Sequence, residues 1–295
     1  MQSFRTLLAV LLFGAVARAQ EVQPLVARPL TVPPGRVEIT VHGTYTNWTG
    51  LGTTSLEGET LALGADFGVT DRVQLGLAVA LPINPGAGFG SVLGSAAIGV
   101  SKSSALRLDV GFESFGINGN NTLSQHINRY FGGVGVPMKL PITSTLAFVS
   151  GRTGAVQFGH FNNLGSSGTG LYIGATDFTE VASDLLVVSA GDNNSSTHLG
   201  INLPLGLLVQ PDPHFAVTLQ AGYSTVIDIP TGSGSNTALH FVPIGVDAVL
   251  TPSAPLDLGV RFFVDGYVTQ SGGSSAGAPG YLDFRELMFW MRVRT

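Results

Sequence analysis

Cysteine is absent from the 295 residues. No disulfide can therefore staple a small fold, and no thiolate can hold a metal. Charge is scarce as well. Asp, Glu, Lys and Arg make up 11% of the chain, less than half the roughly 25% of soluble domains. So little charge argues against a soluble protein. A helical membrane protein is also disfavoured, because no run after the N-terminus approaches the ~18 apolar residues of a spanning helix. No basic patch is present, which removes nucleic acid from the expected partners. What remains is a β-barrel in a membrane, where only one face of each strand meets lipid.

Glycine is abundant, at 40 residues, and the formal charge is -5. The first 19 residues read as a signal peptide. Arg5 supplies the positive charge, residues 6–16 the apolar region, and Ala17-Arg18-Ala19 a small-x-small cleavage site. Residues 20–34 hold four prolines without a clear period and read as a periplasmic lead-in. The barrel is expected over residues 35–295.

Alternation with a period of two is the main signal. Leu61, Leu63, Ala65, Phe67 and Val69 share one face, with Thr60, Gly64 and Asp66 opposite. Val73, Leu75, Leu77, Val79 and Leu81 repeat the pattern. Leu106, Leu108, Val110 and Phe112 oppose Arg107, Asp109 and Glu113; Leu256, Leu258, Val260, Phe262 and Val264 oppose Asp257, Arg261 and Asp265. In the last strand, Leu287, Phe289, Met291 and Val293 share a face, as in the terminal strand that barrel-assembly machinery reads. The chain ends in Thr295, where many bacterial barrels end in an aromatic residue.

The connections alternate in length. Short ones fall at residues 70–72, 101–104, 141–144, 210–214 and 251–255, rich in Pro, Asp and Ser. Long polar, glycine-rich ones fall at 49–58, 84–90, 118–128, 161–168, 228–236 and 270–280. Short periplasmic turns and long outer loops describe a bacterial outer-membrane barrel. The fold class is all-β, an antiparallel transmembrane β-barrel of about 12–14 strands. Fourteen results if residues 171–191 form two wall strands split around 179–184; twelve results if they form one strand and an excursion. Pro137, Pro204 and Pro243 fall inside strands, so bulges or rim positions are expected there.

Inward charges are the site candidates: Asp66, Arg107, Asp109, Glu113, Asp247, Asp257, Arg261 and Asp265. They form either a charged eyelet or cross-strand pairs that hold the wall. Acids outnumber bases in this set, which favours cations or neutral solutes. Tyr45, Trp48, Tyr130, Tyr172, Tyr223, Tyr267, Tyr281 and Trp290 fall near strand ends, as an interfacial girdle or as the lining of an apolar site. The histidines are His42, His126, His160, His198, His214 and His240, with Ser166 and Ser167 near His160, and Ser195 and Ser196 near His198. Sequence proximity is not catalytic geometry. No enzyme activity, metal or cofactor is expected.

The stretches PGRVEITVHGTY, FGVTDRVQLGLAVALP and INLPLGLLVQPDPHFAVTLQAGYS resemble the transporter-like outer-membrane barrels labelled as a phenol-degradation meta-pathway family. The resemblance implies a barrel that moves small compounds, aromatic or hydrophobic ones among them, and supplies no catalytic residues. The expected function is passive passage of small solutes across the bacterial outer membrane, with outer-membrane lipid, the solute and the assembly machinery as partners. A structural or plugged surface barrel and a barrel enzyme at the cell surface are the alternatives. A soluble β-sandwich is the non-membrane rival.

Overall fold

The computed structural model describes residues 21–49, 55–84, 90–118, 124–151, 162–167, 170–175, 185–191, 196–230, 237–271 and 283–295. The expected signal peptide, residues 1–19, lies outside them. Among the described residues sixteen strands form: β1 Val37–Thr49, β2 Ser55–Gly68, β3 Val73–Asn84, β4 Ser91–Gly99, β5 Ala105–Asn118, β6 Ser124–Gly135, β7 Met138–Pro141 and β8 Leu146–Ser150; then β9 Asn162–Ser167, β10 Gly170–Ala175, β11 Leu186–Gly191, β12 Ser196–Asp212, β13 Phe215–Pro230, β14 Thr237–Ser253, β15 Leu256–Ser271 and β16 Asp283–Arg294.

Every pairing in the wall is antiparallel. β1 to β6 pair in sequence, as do β12 to β16. β16 then pairs with β1 over twelve residue pairs, and β11 bridges β6 and β12. Among the described residues the sheet closes on itself, as a sheet in lipid must.

The ring has twelve wall positions, two of them composite. β6 and β7 form one strand broken at Pro137, whose carbonyl still accepts from Ala105 N at 3.0 Å. The next position is shared. β8 fills it at the short-turn end, between β7 and β12. β11 fills it at the other end, between β6 and β12. The chain leaves the wall after Ser150 at Gly151, whose φ of 67° lies in the left-handed region that glycine favours. It returns at Leu185, whose carbonyl accepts from Asn202 N at 2.9 Å. In between, β9 and β10 pair with each other and β9 lies against β12 and β13. Among the described residues of 171–191, β11 alone joins the wall, and the described ring holds twelve positions.

The prolines sit where the ladder is interrupted. Pro204 falls between the two half-strands, and its carbonyl accepts from Ser150 Oγ at 2.6 Å. Its missing N–H breaks no ladder bond. At Pro243, pairing with β13 lapses between Ile244 and Phe241, and the register with β15 shifts at His240/Phe241.

Burial is the inverse of a soluble sheet. Leu63, Leu77 and Phe289 are 55%, 59% and 61% exposed. Their chain neighbours Ala62, Ala78, Met288 and Trp290 are buried on the inside. This rules out the soluble sandwich, in which such residues would form the core. The five short turns all lie at one end, as the spacing predicts. At the other end the strands run further than the alternation suggests. β6 includes Ser124 to Asn128, paired with β5 as far as Asn118. Those residues are mostly polar, so hydrophobic periodicity cannot reveal them; the backbone ladder carries on regardless. Of the expected long connections, the residues between the strands lie outside the described ones apart from Gly90, and 162–167 form β9.

Leu77→Arg places a guanidinium on the lipid face near mid-strand. Unfolding in urea with phospholipid vesicles should show a loss of about 2–4 kcal/mol. An unchanged midpoint would reject the outward placement.

Candidate functional site

The inward face at the short-turn end is built from charge. A period of two sends Asp66, Arg107, Asp109, Asp247, Asp257 and Arg261 inward, and all six are buried. Glu113 and Asp265 occupy the same face by register, opposite Arg129 and Pro243. Their side chains lie outside the described residues.

The six are not gathered into one constriction. Arg107 makes a bidentate bond to Asp109 two residues along its own strand, at 2.7 and 2.8 Å. Arg261 faces Asp247 across the β14–β15 ladder and lies 3.9 Å from Glu286. Its guanidinium also sits over the Phe263 ring, 5.0 Å from the centroid. Asp66 lies in register with Gly76, and a side chain at Gly76 would collide with both Asp66 and Ser95.

Asp257 has a different partner. It accepts from Arg28 Nη1 at 2.7 Å, from both terminal nitrogens of Arg294 at 2.6 and 3.0 Å, and from Thr251 Oγ1 at 2.7 Å. Arg28 belongs to the segment before β1. That segment lies within the mouth of the barrel, with Leu25, Val26 and Val32 buried. Wall side chains hold its backbone. Gln210 Oε1 accepts from Val26 N at 3.1 Å, and Gln74 Oε1 accepts from Val32 N at 2.8 Å. Lys139 Nζ donates to the carbonyls of Leu25 and Arg28, at 2.8 and 2.5 Å. Burial lowers the Arg28 guanidinium below its ordinary pKa, and Asp257 opposes the shift. The chain then turns at Gly35, φ 72°, into β1.

Between this segment and the wall lies a cavity of about 280 Å³. Arg28, Arg36, Arg107, Lys139, Arg292 and Arg294 line it, with Glu21, Glu38 and Asp66. Asp109 and Asp257 stand behind their arginines and do not line it. The sign of the surface therefore differs from the sign of the sequence-derived set. Arg28, Gln74, Lys139, Gln210 and Arg292 are the residues that sequence reasoning missed. For Arg292 a signal existed, since it alternates with Phe289, Met291 and Val293. For Arg28 there was none, because its segment has no period.

Aromatic placement also divides. Tyr45, Tyr130 and Tyr223 are exposed. Tyr223 Oη lies 2.6 Å from His240 Nδ1. Trp290 is not part of that girdle. It points inward and lies across its register partner Gly259, where any side chain would collide with the indole. Phe131 and Phe263 lie over Gly111 and Gly245 in the same way. The side chains of Trp48, Tyr172, Tyr267 and Tyr281 lie outside the described residues.

His42 is buried inside, and His214 Nδ1 is 2.8 Å from the Thr251 carbonyl in a short turn. The side chains of His126 and His198 and all of His160 and Ser195 lie outside the described residues.

A closed antiparallel ring with an apolar exterior and a charged interior defines a transmembrane β-barrel. No protein-family model and no curated protein matches the sequence. Among solved structures, the chain is similar to an outer membrane channel from Pseudomonas putida F1, with 13% identity over 93% of this chain and 100% of that one, at a TM-score of 0.55. It is also similar to the translocator domain of the autotransporter NalP from Neisseria meningitidis, with 8% identity over 100% of this chain and 95% of that one, at a TM-score of 0.50. These likenesses are of fold: an outer-membrane type of barrel.

Asp257→Asn removes the charge that holds Arg28 and Arg294 together. Stripping one partner from a buried ion pair costs about 3–5 kcal/mol. Limited proteolysis should cut within residues 21–36 faster than in the parent protein, with the barrel itself still resistant. Equal cutting rates would show that Asp257 does not anchor the segment.

Proposed function

We propose that the protein is a channel of the bacterial outer membrane for passive passage of small solutes. The observation that carries this reading is the cavity in the barrel interior, walled by charged side chains and bounded by the segment held in the mouth. In this orientation the short turns face the periplasm, and lipid covers the outward apolar band. Residues 1–19 direct export, and the barrel-assembly machinery inserts the chain. The channel is not an enzyme, and nucleic acid is not a partner. Its resemblance to the phenol-degradation meta-pathway barrels supports small hydrophobic or aromatic compounds among the solutes.

A plugged structural barrel is the second reading. It is favoured by the four wall side chains, Gln74, Lys139, Gln210 and Asp257, that hold residues 25–32 in place. Planar-bilayer recordings separate the two. The channel reading expects steady ohmic current from the refolded protein, and larger current when residues 21–34 are deleted. A silent parent protein with a conducting deletion variant would favour the plug. Silence from both, with correct folding, would reject passage.

Asp109→Asn leaves Arg107 without its bidentate partner and exposes a full positive charge to the cavity. The ratio of cation to anion permeability, read from reversal potentials in a KCl gradient, should fall. An unchanged ratio would remove the Arg107–Asp109 pair from the solute path.

A further inference from the structure

Arg292 is a buried interior side chain with hydrogen-bond donors to spare. Its side chain is only 3% exposed. Nε donates to Thr40 Oγ1 at 3.2 Å and approaches Glu38 at 3.8 Å. The two terminal nitrogens make no hydrogen bond among the described residues, and the residue lines the cavity. A buried guanidinium is costly unless its donors are met. The planar pair of Nη donors matches the two oxygens of a carboxylate.

Its surroundings agree. Arg107 spends Nε and Nη2 on Asp109, and its Nη1 has no hydrogen-bond partner among the described residues. It lines the same cavity. Leu25, Pro29 and Val32 supply an apolar surface there. Glu38 approaches Arg292 on the Nε side, which leaves the outer fork for a ligand.

We propose that this cavity binds small organic carboxylates. Arg292 takes the carboxylate, Arg107 adds a second positive charge, and the buried N-terminal segment covers the apolar body of the acid. The proposal deepens the channel reading and rests on it, giving the passage a preference for anionic solutes.

The indole of Trp290 serves as reporter, because the Arg292 guanidinium carbon lies 5.5 Å from its ring centroid. The chain has two tryptophans, so Trp48→Phe isolates the signal. Hexanoate and hexanol are titrated into the refolded protein in detergent. Hexanoate should give a saturable change in Trp290 emission, and hexanol should give none. Arg292→Gln should weaken hexanoate binding by at least about tenfold, Arg292→Lys by less, and Lys102→Gln in an exposed turn not at all. Heat-modifiable migration checks that each variant is folded. Equal responses to hexanoate and hexanol in the parent protein overturn the proposal without reference to any variant. Unweakened binding by a folded Arg292→Gln protein overturns it as well. Potassium chloride conductance of the same preparation separates the two readings: current without hexanoate binding overturns the carboxylate site alone, whereas binding without current overturns passage and keeps the site.

Discussion

A sheet that crosses lipid has to pair its own backbone all the way round. In hydrocarbon, an unpaired N–H or C=O costs several kcal/mol, so a spanning sheet must have no free edge. Here the ring closes through the β1–β16 pairing, which Thr295 extends by donating its N–H to Val37 O at 3.0 Å. The same demand explains the composite wall position. A chain that departs after Ser150 and returns at Leu185 interrupts the ladder at mid-height. The interruption falls opposite a proline, which has no donor to satisfy. The side chain of Ser150 bonds the Pro204 carbonyl there, and the carbonyl of Leu185 takes the Asn202 N–H.

Once the ring is closed, inward residues have only the interior in which to find partners. Charges there must be paired or wetted. Arg107 and Asp109 solve this within one strand; Arg261 meets Glu286 on the neighbouring strand at 3.9 Å and stands in register with Asp247 on its other side. Asp257 solves it by holding a segment that is not part of the wall. Asp109 and Asp257 sit behind their arginines, and Arg28, Arg107 and Arg294 stand forward of them on the cavity wall. A charge count over the strands therefore misstates the field that a solute meets.

The legibility of the sequence followed the same physics. Alternation in β2, β3, β5 and β15 exposed the fold and the inward set, because a period of two survives wherever one face meets lipid. It failed where that demand lapses. The polar extension of β6 beyond the apolar band carries no hydrophobic period, although its backbone is still paired. Residues 171–175 are as apolar as a wall strand, yet they pair with β9 outside the ring; apolarity alone does not say which partner a strand takes. Trp290 read as a girdle residue by its nearness to a strand end, but parity with Met288 and Arg292 turns it inward onto Gly259. The lead-in was opaque for another reason. Its contacts are scattered hydrogen bonds to Gln74, Lys139, Gln210 and Asp257, up to 229 residues away in sequence, and no local pattern encodes them.

Those four anchors come from β3, β7, β12 and β15, spread around the ring. A slip of one residue in any of these strands turns its anchor toward lipid. The buried segment thus measures the register of four separate strands at once, and it seats fully only in a barrel whose pairings are all in step. Contacts so distant in sequence carry the largest loop-closure cost, and they are repaid only after the wall exists. Docking of residues 25–32 is accordingly favourable only where these wall strands are in step. It adds stability to correctly threaded barrels and withholds it from mis-registered ones, so the first stretch of barrel-associated chain works as a proofreader for the strands that follow it.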